Sequence, residues 1–213
     1  MWIELIEATL QTLNMVFISV MIAVLIGLPL GVILLVTRNP HLFQKPALHH
    51  TLGFIVNMVR SVPFIILLVA ITPLTRLIVG TSIGTTAAMV PLALSAIPFF
   101  ARLVENAMSE VTPGLIEAAL AMGATTAQII KKVCIPEAGA AIVRGITLTA
   151  ITLVGYSAMA GAIGGGGLGN LAIEYGYERF EIRIMIATVV ILIVMVQAIQ
   201  WIGDWIARRC ARA

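Results

Sequence analysis

Three groupings of residues in this chain have types that do chemistry, and each fails on spacing or company. His41, His49 and His50 put three imidazoles in one short polar stretch. Adjacent histidines on a helix point apart, and no cysteine or carboxylate joins them at ligand spacing, so a solvated loop without metal is the expectation. Arg102 and Glu105 stand three apart, which suits a helical ion pair; as an acid–base pair they lack a nucleophile. Gly164, Gly166 and Gly169 match G-x-G-x-x-G, yet no strand precedes them and no basic phosphate partner follows. No Gly-Lys-Ser/Thr phosphate loop occurs either. Catalytic, cofactor-binding and metal-ligating residues are expected to be absent, and the chain by itself cannot cradle and hydrolyse ATP.

A fourth grouping does mechanical work instead. Thr112 precedes Pro113, the favoured first residue of a helix, and can cap it. Gly123 stands where that helix stops, because glycine takes a left-handed backbone cheaply. Thr125 and Gln128 have the spacing of a capping box. Lys131 and Lys132 fall in a last turn, and Pro136 closes the unit. Two short helices joined by a fixed elbow follow, over about residues 112–136, the first far too short to span a bilayer.

The elements that must position this elbow are apolar. The chain has 213 residues, 60% hydrophobic and 11% charged, with a mean hydropathy of +1.07, the composition of a polytopic membrane protein. One all-α membrane domain over residues 1–213 is expected, with about five spans. They run from about Leu13 to Val36, Leu52 to Ile71, Ile83 to Met108, Ala138 to Ile163, and Ile184 to Ile206. Pro91 and Pro98 are expected to break the third. A net charge of +3 gathers at segment ends without interleaved aromatics, so nucleic acid is not a partner and membrane lipid is. Cys134 and Cys210 do not suggest a disulfide framework. Glu4 and Glu7 replace the positive charge of a signal peptide, and no cleavage is expected.

Arg60 lies inside the second span, where an arginine faces protein, water or headgroups. Snorkelling or a structural ion pair is the preferred account, over substrate binding. Pro63 kinks the same span, leaving a carbonyl that needs a partner. The fourth span is the most polar. Thr152, Tyr156 and Met159 share a face at i, i+4 and i+7, with Ser157 beside them. In a two-fold dimer those faces would oppose each other as a weakly polar gate. The glycine-rich run Gly161–Asn170 reads as a wide turn, re-entrant or flexing, and Glu174–Arg183 as a short outer helix or loop.

Orientation follows from basic residues. Arg38, Lys45, Arg60, Arg102, Lys131, Lys132, Arg144, Arg208, Arg209 and Arg212 fall on the elbow side, against Arg76, Arg179 and Arg183 on the other. The excess puts the N-terminus outside and the elbow and C-terminus in the cytoplasm.

Glu117-Ala118-Ala119, then Gly123, then Val133-Cys134-Ile135-Pro136 resembles the EAA loop of ABC-importer permeases. The usual Ile-x-Leu-Pro ending is here Val-x-Ile-Pro, a volume-conserving change. Further stretches extend the likeness over nearly the whole chain. They are Arg60-Ser61-Val62-Pro63-Phe64, Ile78-Val79-Gly80-Thr81-Ser82-Ile83-Gly84, and Leu153-Val154-Gly155-Tyr156-Ser157-Ala158-Met159. These are similar to the permeases of DL-methionine ABC importers. The resemblance implies a type I ABC-importer permease fold in the bacterial inner membrane. It implies ATPase docking through Glu117, Ala118, Ala119, Met122, Gly123 and Ala124. The implied partners are a second copy of the chain, two ATP-binding-cassette ATPase subunits that bind the ATP and its magnesium, and an extracytoplasmic methionine-binding protein. It also places feedback regulation in the ATPase subunit.

Other readings stay open at this level. A permease for another amino acid or small organic solute would share the elbow. An ion-coupled secondary carrier would need a mid-membrane coupling residue and would transport without an ATPase. A scaffold would have no use for the polar fourth span.

Overall fold

A chain crossing hydrocarbon must satisfy its backbone polar groups within each segment, so apolar runs of this length become helices. The computed structural model describes residues 2–40 and 42–211, and these are helices and the turns between them, with no strand. His41 and Arg212, both named above, lie outside the described residues.

The first helix, α1 (Trp2–Arg38), starts well before Leu13 because nothing in residues 2–12 breaks a helix, and Glu4 sits favourably in its first turn. Its 37 residues reach about 55 Å at 1.5 Å per residue, beyond the roughly 30 Å of hydrocarbon. The expected second span is not one helix. It divides into α2 (Pro46–Ser61) and α3 (Phe64–Ala70), bent by 99°. The break has a local cause: Val62, preceding Pro63, is extended at φ −81° and ψ 124°, as the clash with the proline ring requires. A short α4 (Thr72–Val79) follows, with Pro73 in its first turn.

The next helix, α5 (Thr85–Ser109), runs through Pro91 and Pro98 without the expected break. Each proline removes one backbone hydrogen bond, but packing overrides that cost: both are buried, with α1 along the same helix. The approach is close because α1 carries Gly27 and Gly31. A Cβ on Gly31 would sit 2.5 Å from the Ala101 carbonyl oxygen, so only glycine permits this contact. Arg102 and Glu105 form the expected ion pair, buried at Glu105, and Arg102 also donates to the Gly53 carbonyl at 3.1 Å. That arginine therefore ties α2 to α5.

The elbow comprises α6 (Pro113–Ala121), α7 (Thr126–Ile129), a wide π-type turn at Ile130–Cys134 and α8 (Ile135–Glu137). Pro136 does not close it. Ala138 keeps helical dihedrals, and the chain continues into α9 (Gly139–Gly161). The wide turn lies where Pro136, lacking an N–H, interrupts the regular α ladder.

Past α9, the glycine run is a locked turn rather than a flexing one. Gly169 lies so close to α9 that a Cβ there would be 2.5 Å from the Ala158 Cα. In α10 (Gly167–Leu171), the Gly167 and Leu168 N–H groups donate to Gln11 Oε1 and Thr12 Oγ1, both at 2.9 Å. The extra turns of α1 thus fasten this end of the bundle. A π-type turn at Ala172–Glu178 leads to α11 (Ile182–Cys210), and Arg179 bridges Glu174 at 2.7 Å. Four single helices qualify as spans among the described residues by length and composition, and a fifth if α2 and α3 count as one.

Candidate coupling surface and translocation face

Two regions collect the residues singled out above: the elbow, and the face of α9 turned toward the α2–α3 break.

At the elbow, Ile116, Ala119, Ile129 and Cys134 are buried and anchor it to the bundle. Gly123 has φ +79°. Its N–H donates to the Leu120 carbonyl at 2.9 Å, and the Ala124 N–H donates to that of Ala119 at 3.0 Å. This pair of bonds is the Schellman closure of a helix C-terminus, and it fixes the direction in which the chain leaves α6. Thr125 and Gln128 complete the expected capping box, while the Thr112 side chain, expected to cap α6, makes no capping bond. Pro113 at the first position of α6 leaves one fewer unpaired N–H at the helix start.

Of the six elbow residues proposed for docking, Glu117, Ala118, Met122 and Gly123 are exposed, Ala124 is half-buried and Ala119 packs inward. Met122 is 82% exposed, and Leu115 and Leu120 stand out beside it. The sequence reading missed both leucines; the signal was apolar residues on a helix too short to enter the membrane. Exposed methionine and leucine on a polar segment make an apolar contact surface. Cys134 is buried in the same unit, and burial pushes its thiol pKa up, so it is a poor reporter of sidedness. The exposed Cys210 is the useful thiol.

On α9, Thr152 and Tyr156 line a cavity of about 200 Å³ with Arg60, Phe64, Ser95, Phe99 and Thr149. The Tyr156 ring stacks on Phe64 with centroids 4.4 Å apart. Met159 stands along the same helix, 47% exposed and outside the cavity lining. Ser157 is buried in the chain's own packing, its hydroxyl donating to the Val154 carbonyl at 2.8 Å.

Arg60 does not form the structural ion pair offered for it among the described residues, and its position differs from the one expected. It belongs to the level of this cavity, midway along α5 and α9, not to the elbow end where the charge count placed it. No carboxylate pairs with it among the described residues; its guanidinium carbon lies 5.9 Å from the Phe99 ring centre. Without Arg60 and Arg212 the basic excess at the elbow end persists. His49 has a structural partner, with Nδ1 3.1 Å from the Leu34 carbonyl oxygen.

Comparison with known proteins agrees with this geometry. Residues 23–212 match the family model for the binding-protein-dependent transport system inner membrane component. The probable D-methionine transport system permease protein MetI of Vibrio cholerae is 57% identical over 205 residues, covering 96% of this chain and 91% of that protein. The D-methionine transport system permease protein MetI of Escherichia coli K12 is 54% identical over 161 residues, covering 76% of this chain and 74% of that protein. Among solved structures, a chain of the MetNI methionine ABC transporter in an inward-facing conformation superposes with a TM-score of 0.96 at 50% identity, covering 99% of this chain and 97% of that one. A chain of an amino acid ABC transporter shares the fold at a TM-score of 0.79 and 23% identity, covering 96% of this chain and 93% of that one. This chain belongs to the family of binding-protein-dependent transport system inner membrane components.

Proposed function

We propose that this chain is the permease subunit of an ATP-driven methionine importer, itself without an ATPase site. The observation that carries the reading is the elbow: a short helix with a Schellman closure at Gly123, exposing Glu117, Ala118 and Met122 beyond the apolar bundle. A rigid amphipathic surface of this kind transmits the movement of a partner only if its direction is fixed. The identity to proteins named for D-methionine transport supports the solute, and the likeness to a MetNI chain supports an ATPase partner.

The rest of the assembly belongs to the same proposal. Two copies oppose their α9 faces, two ATPase subunits dock at the two elbows, and a methionine-binding protein delivers solute at the opposite end. The N-terminus lies outside and the C-terminus in the cytoplasm, supported by the distribution of arginine and lysine. Thr152, Tyr156 and Met159 form the gate, to which Ser157 contributes only as packing.

Affinity purification tests the partnership: the tagged chain should bring down an ATP-hydrolysing subunit in equal amount. Its recovery alone, from gently solubilised membranes, would contradict the reading. A cysteine at Met159 should crosslink to that of a second copy, and failure in both nucleotide-free and nucleotide-bound complexes would remove the gate. Cys210 should react with an impermeant thiol reagent only after permeabilisation.

A further inference from the structure

The cavity at the α2–α3 break has a polar pattern that a mere passage does not require. Among the described residues of its lining, Arg60 brings the only charge, on the last turn of a helix that ends one residue before an extended Val62. The three hydroxyls of Ser95, Thr149 and Thr152 are not free donors. Ser95 donates to the Leu92 carbonyl, Thr149 to Gly145 and Thr152 to Leu148, each at 2.8 Å. A hydroxyl whose proton is committed to its own helix has only lone pairs left to offer. The cavity therefore presents one cation, three hydroxyls left only as acceptors and the Tyr156 phenol, which can donate or accept, with the rings of Phe64, Phe99 and Tyr156 between them. Thr149 is only 1% exposed, so its oxygen is held in place and shielded from bulk water.

We infer that this cavity is a transit site for a zwitterionic α-amino acid. Arg60 takes the carboxylate, and Ser95, Thr149 and Thr152 accept from the ammonium. The aromatic rings cover an apolar side chain. A carboxylate–guanidinium contact is charge-assisted and can be bidentate, which orients the solute as well as holding it. The ammonium meets hydroxyls and no carboxylate, so it is accommodated without being trapped. At about 200 Å³ the space is smaller than a drug-sized pocket, as suits a single amino acid. The inference rests on the proposed importer and adds to it a binding site within the permease itself.

The test uses the assembled complex in proteoliposomes with loaded binding protein and photo-methionine, the diazirine analogue that keeps both charged groups. Irradiation under ATP turnover should label peptides of α2–α3, α5 or α9 that contain cavity residues. Excess methionine should suppress the adduct. Arg60→Gln should reduce both labelling and methionine uptake about tenfold, the loss expected for a charged hydrogen bond. Recovery of the ATPase subunit with the permease should stay within about twofold, because a substitution remote from the elbow leaves docking nearly unperturbed. Arg60→Lys should restore part of the labelling, since it keeps the charge without the bidentate geometry. Thr152→Val, which removes an acceptor at constant shape, should lower labelling several-fold and gives a second reading should Arg60→Gln not assemble. Adducts elsewhere in the chain, or uptake and labelling unchanged in both variants, overturn the site. A wild-type complex that transports some other solute but not methionine overturns the proposed function instead.

Discussion

Gly123→Val should leave the protein inserted and folded but reduce ATP-driven transport at least tenfold. A Cβ at this position meets nothing within 4 Å, so the substitution causes no clash. The effect comes from the backbone: a β-branched residue at φ +79° costs on the order of 1–3 kcal/mol. The chain relieves that strain by leaving the left-handed region, which breaks the two bonds closing α6 and lets it swing relative to α7. The buried anchors Ile116 and Ile129 remain, so the loss falls on docking direction and not on the bundle. Asparagine tolerates the left-handed region, and Gly123→Asn should keep most activity. Recovery of the ATPase subunit and uptake, measured side by side, check both variants. Wild-type values for Gly123→Val would show that the elbow angle does not matter.

Arg102→Met should destabilise the chain by about 3–5 kcal/mol, the cost of stranding a buried partner of a broken ion pair. Glu105 is 1% exposed and one of its oxygens already lacks a partner, so it has no other means of compensation. The same change removes the donor to Gly53, loosening α2 from α5 near the cavity. The double variant Arg102→Met with Glu105→Leu should be more stable than Arg102→Met alone, because no charge is then left buried. Thermal unfolding in detergent measures the order. A double variant less stable than the single one would mean that the pair contributes more than its mutual neutralisation.

Local rules in the sequence reached the features with local causes. Gly123, the Thr125–Gln128 capping box and the Arg102–Glu105 pair are each set by spacings of a few residues, and each stands where expected. Four of the five expected spans were equally legible, being a matter of hydropathy and length; the second proved to be two helices bent at Pro63. Features that depend on distant residues were not. Pro91 and Pro98 look like breaks in isolation, and only the packing of α1 against α5 keeps that helix whole. The glycine run reads as a wide turn, re-entrant or flexing, until Gln11 and Thr12, 156 residues away, are seen to hold it. Linear position assigns Arg60 to the elbow end; the kink at Pro63 was legible, but not that it bends the chain by 99° at a cavity that Arg60 lines together with residues of α5 and α9. The faces of α9 were half legible: Thr152 and Tyr156 share one, while Ser157 belongs to the buried side.

The account depends most on coupling between ATP hydrolysis and solute movement through this chain. Uptake of radiolabelled methionine into proteoliposomes measures it, with the permease, its co-purified ATPase subunit and the binding protein supplied or omitted in turn. Accumulation is predicted only when all three are present with ATP on the elbow side. Accumulation without the ATPase, or with all components present for some other solute and none for methionine, would contradict it.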